Sequence, residues 1–343
     1  MKICFVNLAS GYSGGENQTF LLARELKRVN IDLVAVTHPR SPLTSKLEQI
    51  GVEVVKTTNF FRGHNAPLLK DVSLLHVHDG RGVHWASVHN MLRGTPFIIT
   101  RRIDNNISER FLTKLSYERA SLLVGISRKI CSVLKEYLPQ KDVELIPSSP
   151  VSYELEEQAV NGIRAQYQGK FLVVQAATLL EHKGFDISIS AARELENEDV
   201  QFLFLGDGPY KTQLTALAKG CSNVQFLGKR SDMGNWFNVA DCLILPSRNE
   251  GLGSVLLEAM QAGTPVIGAN VGGIPDVIKD RTTGLLIPPN SPRALADAIL
   301  LEKNDEGLKK QMVENARLFV RSIAIEQTAP KYLAIYERVL GYN

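Results

Sequence analysis

Residues 245–260 read Leu245-Pro-Ser-Arg-Asn-Glu250-Gly-Leu-Gly-Ser-Val-Leu-Leu-Glu258-Ala-Met260. The apolar run Cys242–Pro246 ends in a polar turn carrying Glu250, and a helical apolar period opens near Gly253 and continues to Ala262. A buried strand feeding a helix in this way is the repeating unit of a parallel sheet covered on both faces. The amides of Gly251, Leu252, Gly253 and Ser254 open the helix without intrahelical acceptors, and such a start favours an anion such as a diphosphate. Two glycines let the backbone approach that anion without a Cβ in the way. Glu250, outside the helix, is placed to accept from sugar hydroxyls. Glu258, one to two turns inside and facing back to the same loop, is placed to accept two bonds from a ribose diol. The plainer explanation is a helix whose dipole tolerates acids around its first turn.

The same alternation runs outward in both directions. Strands are expected in the first half at Lys2–Asn7, Ile31–Thr37, Val72–His78, Pro96–Thr100 and Leu122–Ile126, with an amphipathic helix over Glu16–Val29. In the second half they fall at Phe171–Ala177, Val200–Leu205, Val224–Leu227, Cys242–Pro246, Pro265–Ala269 and Leu285–Ile287. Helices there span Phe185–Leu195, Tyr210–Ala218, Gly253–Ala262 and Ala294–Leu301. The pattern breaks once, in a Ser/Pro patch followed by an acidic stretch. The expectation is an α/β chain of two doubly wound, Rossmann-like domains facing each other across a cleft. The first spans 1–150, a linker 151–170 and the second 171–325, with a C-terminal helix at 326–343 packing back on the first domain. Ligands in such sheets bind beyond the carboxyl ends of the strands.

Bulk composition narrows the function classes. The 343 residues are 44% hydrophobic and 22% charged, enough to bury two cores. The start MKICFVNLAS lacks the apolar run of a secretory signal, and no stretch has the roughly 18 apolar residues of a membrane span. Four scattered cysteines (Cys4, Cys131, Cys221, Cys242) without a CxxC pair speak against zinc or a disulfide framework and for a reducing cytosol. Residues 1–150 hold 20 Lys+Arg against 13 Asp+Glu, a balance of +7, and the remainder balances at −4. The basic half is either ordinary solvated surface or a face that meets an anionic membrane or a phosphorylated acceptor. Aromatic content of 7% without aromatic–basic interleaving excludes nucleic acid as the expected partner.

Several further blocks share one resemblance. Gly206-Asp-Gly-Pro209 follows a strand, and Val224-Gln-Phe-Leu227-Gly228 forms the next one. Glu258-Ala-Met-Gln-Ala-Gly-Thr-Pro-Val266, Val271-Gly-Gly-Ile-Pro-Asp276 and Thr283-Gly-Leu-Leu-Ile-Pro288 come after it in order. With Glu250 and Glu258 separated by seven residues, the chain resembles the GT-B family of retaining glycosyltransferases, family 4, over nearly its whole length and most strongly from Phe171 to Pro289. Asp276 stands where that family usually has glutamate. By the resemblance, Lys183 of Leu180-Glu-His-Lys183-Gly184 contacts the donor diphosphate, where a cation opposite a helix start clamps a leaving group that gains charge. The family's arginine five residues earlier is Thr178 here, so one diphosphate cation is absent or supplied from elsewhere.

In the first half, Ser13-Gly14-Gly15-Glu16 resembles the family's glycine-rich turn, with Gly14 and Gly15 letting amides face the donor phosphate. The G-x-G-x-x-G spacing of a nicotinamide site is absent. His76-Val-His78-Asp79 closes a strand at a position that lines the cleft in relatives, and a satisfied structural role for either histidine is an equal expectation. In Pro96-Phe-Ile-Ile-Thr100-Arg-Arg102, Arg102 occupies the place of a histidine near the transferred sugar, and it is a candidate replacement for the cation lost at Thr178. No D-x-D triplet occurs, and the resemblance implies no cofactor beyond the nucleotide sugar and no obligatory metal. The implied reaction moves a hexose or N-acetylhexosamine, with retention, from a nucleotide sugar (UDP as the commonest choice) to a cell-envelope glycan such as lipopolysaccharide or to a lipid-linked acceptor. The implied location is the cytoplasm, at the inner face of the plasma membrane. Glu250, Lys183, Arg102 and His78 are the candidate catalytic groups. The donor is expected to be bound by Gly14, Gly15, Thr178, Lys183, Gly206, Leu227, Glu250, Gly251, Leu252, Gly253, Ser254 and Glu258. Two other readings compete: a nucleotide-sugar epimerase of related two-domain fold, and a non-catalytic envelope-assembly protein with a vestigial donor site.

Overall fold

The structure is a computed structural model that describes residues 1–342. The chain divides into two compact units, Met1–Ser149 with Ile323–Asn343, and Pro150–Ser322. Each is built on one parallel sheet, as near-continuous apolar strands alternating with helices require.

The first unit has seven strands: β1 (Lys2–Asn7), β2 (Asp32–Thr37), β3 (Glu53–Lys56), β4 (Leu74–Val77), β5 (Phe97–Arg101), β6 (Leu122–Gly125) and β7 (Val143–Leu145). They lie side by side in the order β3-β2-β1-β4-β5-β6-β7, all parallel. β1, β4 and β5 are central and almost wholly buried, with Ile3, Cys4, Val6, Leu74, Leu75, Val77, Phe97 and Ile98 at 0% exposure. The edge strands β3 and β7 are short and partly exposed. Neither is among the sequence-derived strands, because an edge strand with one wet face lacks the apolar run that marks a central one. The helix Gly14–Arg28 opens on a capping box in which the Glu16 carboxylate accepts from the amide and hydroxyl of Ser13. The C-terminal helix Ile325–Leu340 adds Ala329, Tyr332, Ile335 and Tyr336 to this unit's core.

The second unit has six strands: β8 (Phe171–Ala176), β9 (Val200–Leu205), β10 (Val224–Gly228), β11 (Cys242–Leu245), β12 (Val266–Ala269) and β13 (Leu285–Ile287). Their order is β10-β9-β8-β11-β12-β13, again all parallel. Residues 151–170, expected as a linker, contain the helix Glu157–Gln166 and belong to this unit. That helix is tied down by Arg164, whose guanidinium meets the Asp241 carboxylate at 2.6 Å. It buries none of its own residues fully, so no apolar stripe announces it in the sequence. In both sheets the chain starts in the middle, builds one side, then crosses to the other. The reversal falls between β1 and β4 in the first sheet and between β8 and β11 in the second.

Candidate active site

At a reversal point the loops leaving two adjacent strands turn away from each other and leave a crevice at their carboxyl ends. In the second unit those loops are 177–184, after β8, and 246–253, after β11. One charged side chain from each meets the other. Lys183, at the end of a single 3-10 turn (Glu181–Lys183), donates from Nζ to Glu250 Oε2 at 2.7 Å, with side-chain exposures of 19% and 16%. The sequence reading assigns these groups to different parts of a ligand; here they hold each other. Ser247 adds a longer contact, Oγ to Glu250 Oε2 at 3.4 Å.

The lysine is held by its backbone. Buried Gln175, on β8, donates from Nε2 to the Lys183 carbonyl at 2.8 Å, and its own Oε1 accepts from Ser188 Oγ at 2.6 Å. The next residue, Gly184, has φ +70°, and a Cβ there would stand 2.1 Å from the Pro246 carbonyl oxygen, so only glycine lets the two loops touch. Arg248 completes the join. It donates to both Asp186 oxygens at 2.9 and 2.6 Å and to the Glu181 carbonyl at 2.9 Å, while its amide donates to the His182 carbonyl at 2.7 Å.

The glutamate loop is held from behind. The Gly273 amide donates to the Glu250 carbonyl at 2.8 Å. A Cβ on Gly273 would fall 2.2 Å from the Gly251 carbonyl oxygen, and one on Gly272 would fall 2.0 Å from that of Glu250. The Val271-Gly-Gly block is thus a backbone platform for the Glu250 turn. The helix proper runs Ser254–Ala262, one residue later than its sequence pattern suggests, with Gly253 as a left-handed cap at φ +81°. Its first amides have no intrahelical partner and begin four residues after Glu250. Glu258, in the second turn, accepts from the Tyr153 hydroxyl at 3.1 Å. Burial pushes its carboxyl up to about 7, against the opposing pull of that hydrogen bond.

The remaining candidates separate into two places. In the second unit, Thr178 is exposed at the end of β8, and Leu227 is half-buried on β10. Gly206 (φ +144°) donates to the Gly228 carbonyl at 2.8 Å and packs against the Ala177 carbonyl. Gly14, Gly15, His78 and Arg102 belong to the first unit. There Gly15, His78 and Arg102 line a cavity of about 300 Å³, and Gly14 begins the adjoining helix. His76 is satisfied on both ring nitrogens, by Tyr336 Oη and Thr100 Oγ1 at 2.7 Å each, and is structural. Asp79 caps its helix by accepting from the amides of Gly82 and Arg81, and from that of Leu8 at 2.8 Å. Burial, then the nearby charges of His76 and Arg102, hold His78 well below the ordinary histidine value, so its ring is neutral. Sequence reasoning passes over Tyr153, Gln175, Asp186 and Arg248. None has a local motif, and each acts through a partner brought close only by the fold.

Comparison with known proteins gives the site its setting. Residues 158–319 match the family model for glycosyl transferases group 1. An uncharacterized glycosyltransferase of Methanocaldococcus jannaschii is 26% identical over 289 residues, 81% of this chain and 78% of that protein. The N-acetyl-alpha-D-glucosaminyl L-malate synthase of Bacillus anthracis is 27% identical over 67% of this chain and 62% of its own length. Among solved structures, Anabaena HepE in complex with UDP and glucose superposes with a TM-score of 0.84 at 18% identity, over 98% of this chain and 100% of that one, which shows a shared fold. Over residues 158–319 the chain is similar to the group 1 glycosyl transferases, and as a whole it has the GT-B fold.

Proposed function

We propose that the protein moves a hexose or N-acetylhexosamine from a UDP-sugar to a cell-envelope glycan or lipid-linked acceptor, with retention and without an obligatory metal. The observation that carries the donor assignment is the Lys183–Glu250 pair beside the open start of the Ser254–Ala262 helix, at the sheet's reversal point. An incoming diphosphate finds a cation and a helix start, and the charge that develops on it as the C1–O bond loosens is met by both. Lys183 then turns from Glu250 to the phosphates, which frees Glu250 to accept from the sugar hydroxyls. Glu258 takes the ribose diol. The acceptor oxygen enters on the face the leaving group vacates and passes its proton to a phosphate oxygen, so the protein needs no separate base. Solved relatives of the same fold hold UDP, UDP with glucose, and UDP with GlcNAc, which supports UDP as the nucleotide.

Support for an acceptor at an anionic membrane comes from the first unit. Ile103, Phe111 and Leu112 are 57%, 77% and 67% exposed beside Arg110 and Lys114, and no helix among the described residues is long and apolar enough to cross a membrane. Calorimetric titration with a panel of UDP-, GDP- and ADP-sugars tests the donor reading. UDP-sugars are expected to bind, and Lys183→Ala to weaken them at least tenfold. Equal binding of all three, or an unchanged Lys183→Ala, would remove the assignment. Full transfer activity after exhaustive chelation is the corresponding expectation for metal independence.

A further inference from the structure

A second cluster of polar groups lies in the first unit. Arg101, Arg102 and His78 line one cavity with Gly15, Thr100 and Tyr117. It sits where β4 and β5 end, next to that sheet's own reversal between β1 and β4. Buried side-chain polar atoms nearly always have a partner. Among the described residues, Arg101 Nε, Arg102 Nε and His78 Nε2 are buried and have none, and all three residues line this cavity. Arg101 and His78 are only 8% and 4% exposed.

All three atoms are donors. The two guanidinium Nε atoms always carry hydrogen. His78 Nδ1 faces an Arg102 terminal nitrogen at 3.5 Å, which can only donate, so Nδ1 accepts and the neutral ring's hydrogen is on Nε2. The other guanidinium nitrogens are engaged. Arg101 donates to Tyr117 Oη at 3.1 Å and to the Asn105 carbonyl, and Arg102 to Ser148 Oγ at 3.3 Å. Two carboxylates also stand on the wall, and both are spent on helix starts: Glu16 accepts from Ser13, and Asp79 from Leu8, Arg81 and Gly82. The cavity is therefore lined by two guanidinium groups, two carboxylates held at helix starts, and three residues that each carry an unmatched buried donor. A ligand rich in acceptor oxygens matches it, and two cations select a charged one.

We propose that this cavity binds an oxyanion carried by the sugar acceptor, a phosphate or a carboxylate, and selects acceptors by that charge. Naming the ligand as the acceptor rests on the donor reading above; the anion site itself does not. The test is calorimetric titration of the full chain with inorganic phosphate and with malonate, at fixed ionic strength and with saturating UDP so that the second unit's site is filled. At least one probe is expected to bind one-to-one. Arg102→Gln should weaken it at least tenfold, and Arg102→Lys, which keeps the charge but loses the Nε–H, should fall between. Thermal melts establish that both variants fold. Tighter phosphate than malonate binding identifies a phosphorylated acceptor, and the reverse a carboxylated one. The proposal is overturned if neither probe binds, or if Arg102→Gln binds as the parent does. It is equally overturned if Arg102→Gln instead lowers UDP affinity, which would assign the cation to the donor. Failure of the parent chain to bind UDP at all would sink the donor reading and leave the anion site to stand or fall on the phosphate arm, run without UDP.

Discussion

Glu258 is a carboxylate whose burial keeps its proton up to about pH 7. Its folded value lies above the ordinary glutamate value, so its contribution to stability is present below about pH 4.5 and lost as pH rises through about 7. On the donor reading a ribose diol donates to the ionised form, so ligand and proton compete for the same oxygens. UDP affinity should therefore rise several-fold between pH 6 and pH 8, and Glu258→Gln should bind weakly with a flat profile; an equally steep profile in the variant would assign the dependence elsewhere. Lys183 and Glu250 call for a different argument, because an ion pair at 2.7 Å has a purely structural explanation. If the pair only bridged two loops, exchanging the charges would preserve it. On the donor reading, Lys183→Ala and Glu250→Ala each lower kcat/KM by about 100-fold or more, and the exchanged double variant Lys183→Glu with Glu250→Lys stays as impaired as either. Recovery in the double variant would reduce the pair to a brace. Glu250 is legible in the sequence from the glycine-rich turn that opens its helix, and Lys183 through the resemblance of its Lys-Gly motif. Tyr153, 105 positions from Glu258, is not, since nothing local distinguishes a tyrosine that will meet a carboxylate from one that will not.

At the scale of elements, the site is a matter of how closely loops approach one another. Gly184, Gly272 and Gly273 each sit where a Cβ would overlap a carbonyl oxygen of a neighbouring loop, at 2.0–2.2 Å. Gly220, by contrast, has φ +88° and open space around it. Gly273→Ala should therefore displace the Glu250 turn and cut transfer by an order of magnitude or more. Gly220→Ala should cost only about 1 kcal/mol of backbone strain and leave kcat/KM unchanged, as paired assays and melts would show. If Gly273→Ala were fully active, the platform would not be what holds Glu250. The central strands were readable because a strand buried on both faces must be apolar throughout. β3 and β7 were not, since their exposed faces interrupt the run, and the helix Glu157–Gln166 was not, since it is fastened by the Arg164–Asp241 pair instead of a buried stripe.

For the molecule as a whole, the order in which the chain visits its two units has a thermodynamic consequence. The first unit is discontinuous: the chain leaves it after Ser149 and returns at Ile323. Its core is complete only when the last helix supplies Tyr332, Ile335 and Tyr336. Tyr336 is fully buried, and its hydroxyl is one of the two partners of His76, a residue of β4 with no exposure at all. Removing that ring leaves a cavity in the first core and a buried imidazole nitrogen without a partner, a combined cost of about 3–5 kcal/mol. The second core, built from residues such as Phe185, Phe202, Phe204 and Ile299, loses nothing directly. Calorimetry of the parent chain should resolve into two transitions. Tyr336→Ala should lower one by several degrees or more, and UDP, on the donor reading a ligand of the native second unit, should raise the other. Tyr336→Phe, keeping the ring and losing only the hydrogen bond, should fall between parent and alanine variant. A single sharp transition that Tyr336→Ala and UDP shift together would mean that the two cores unfold as one, and that the last helix stabilises the whole chain and not the first unit.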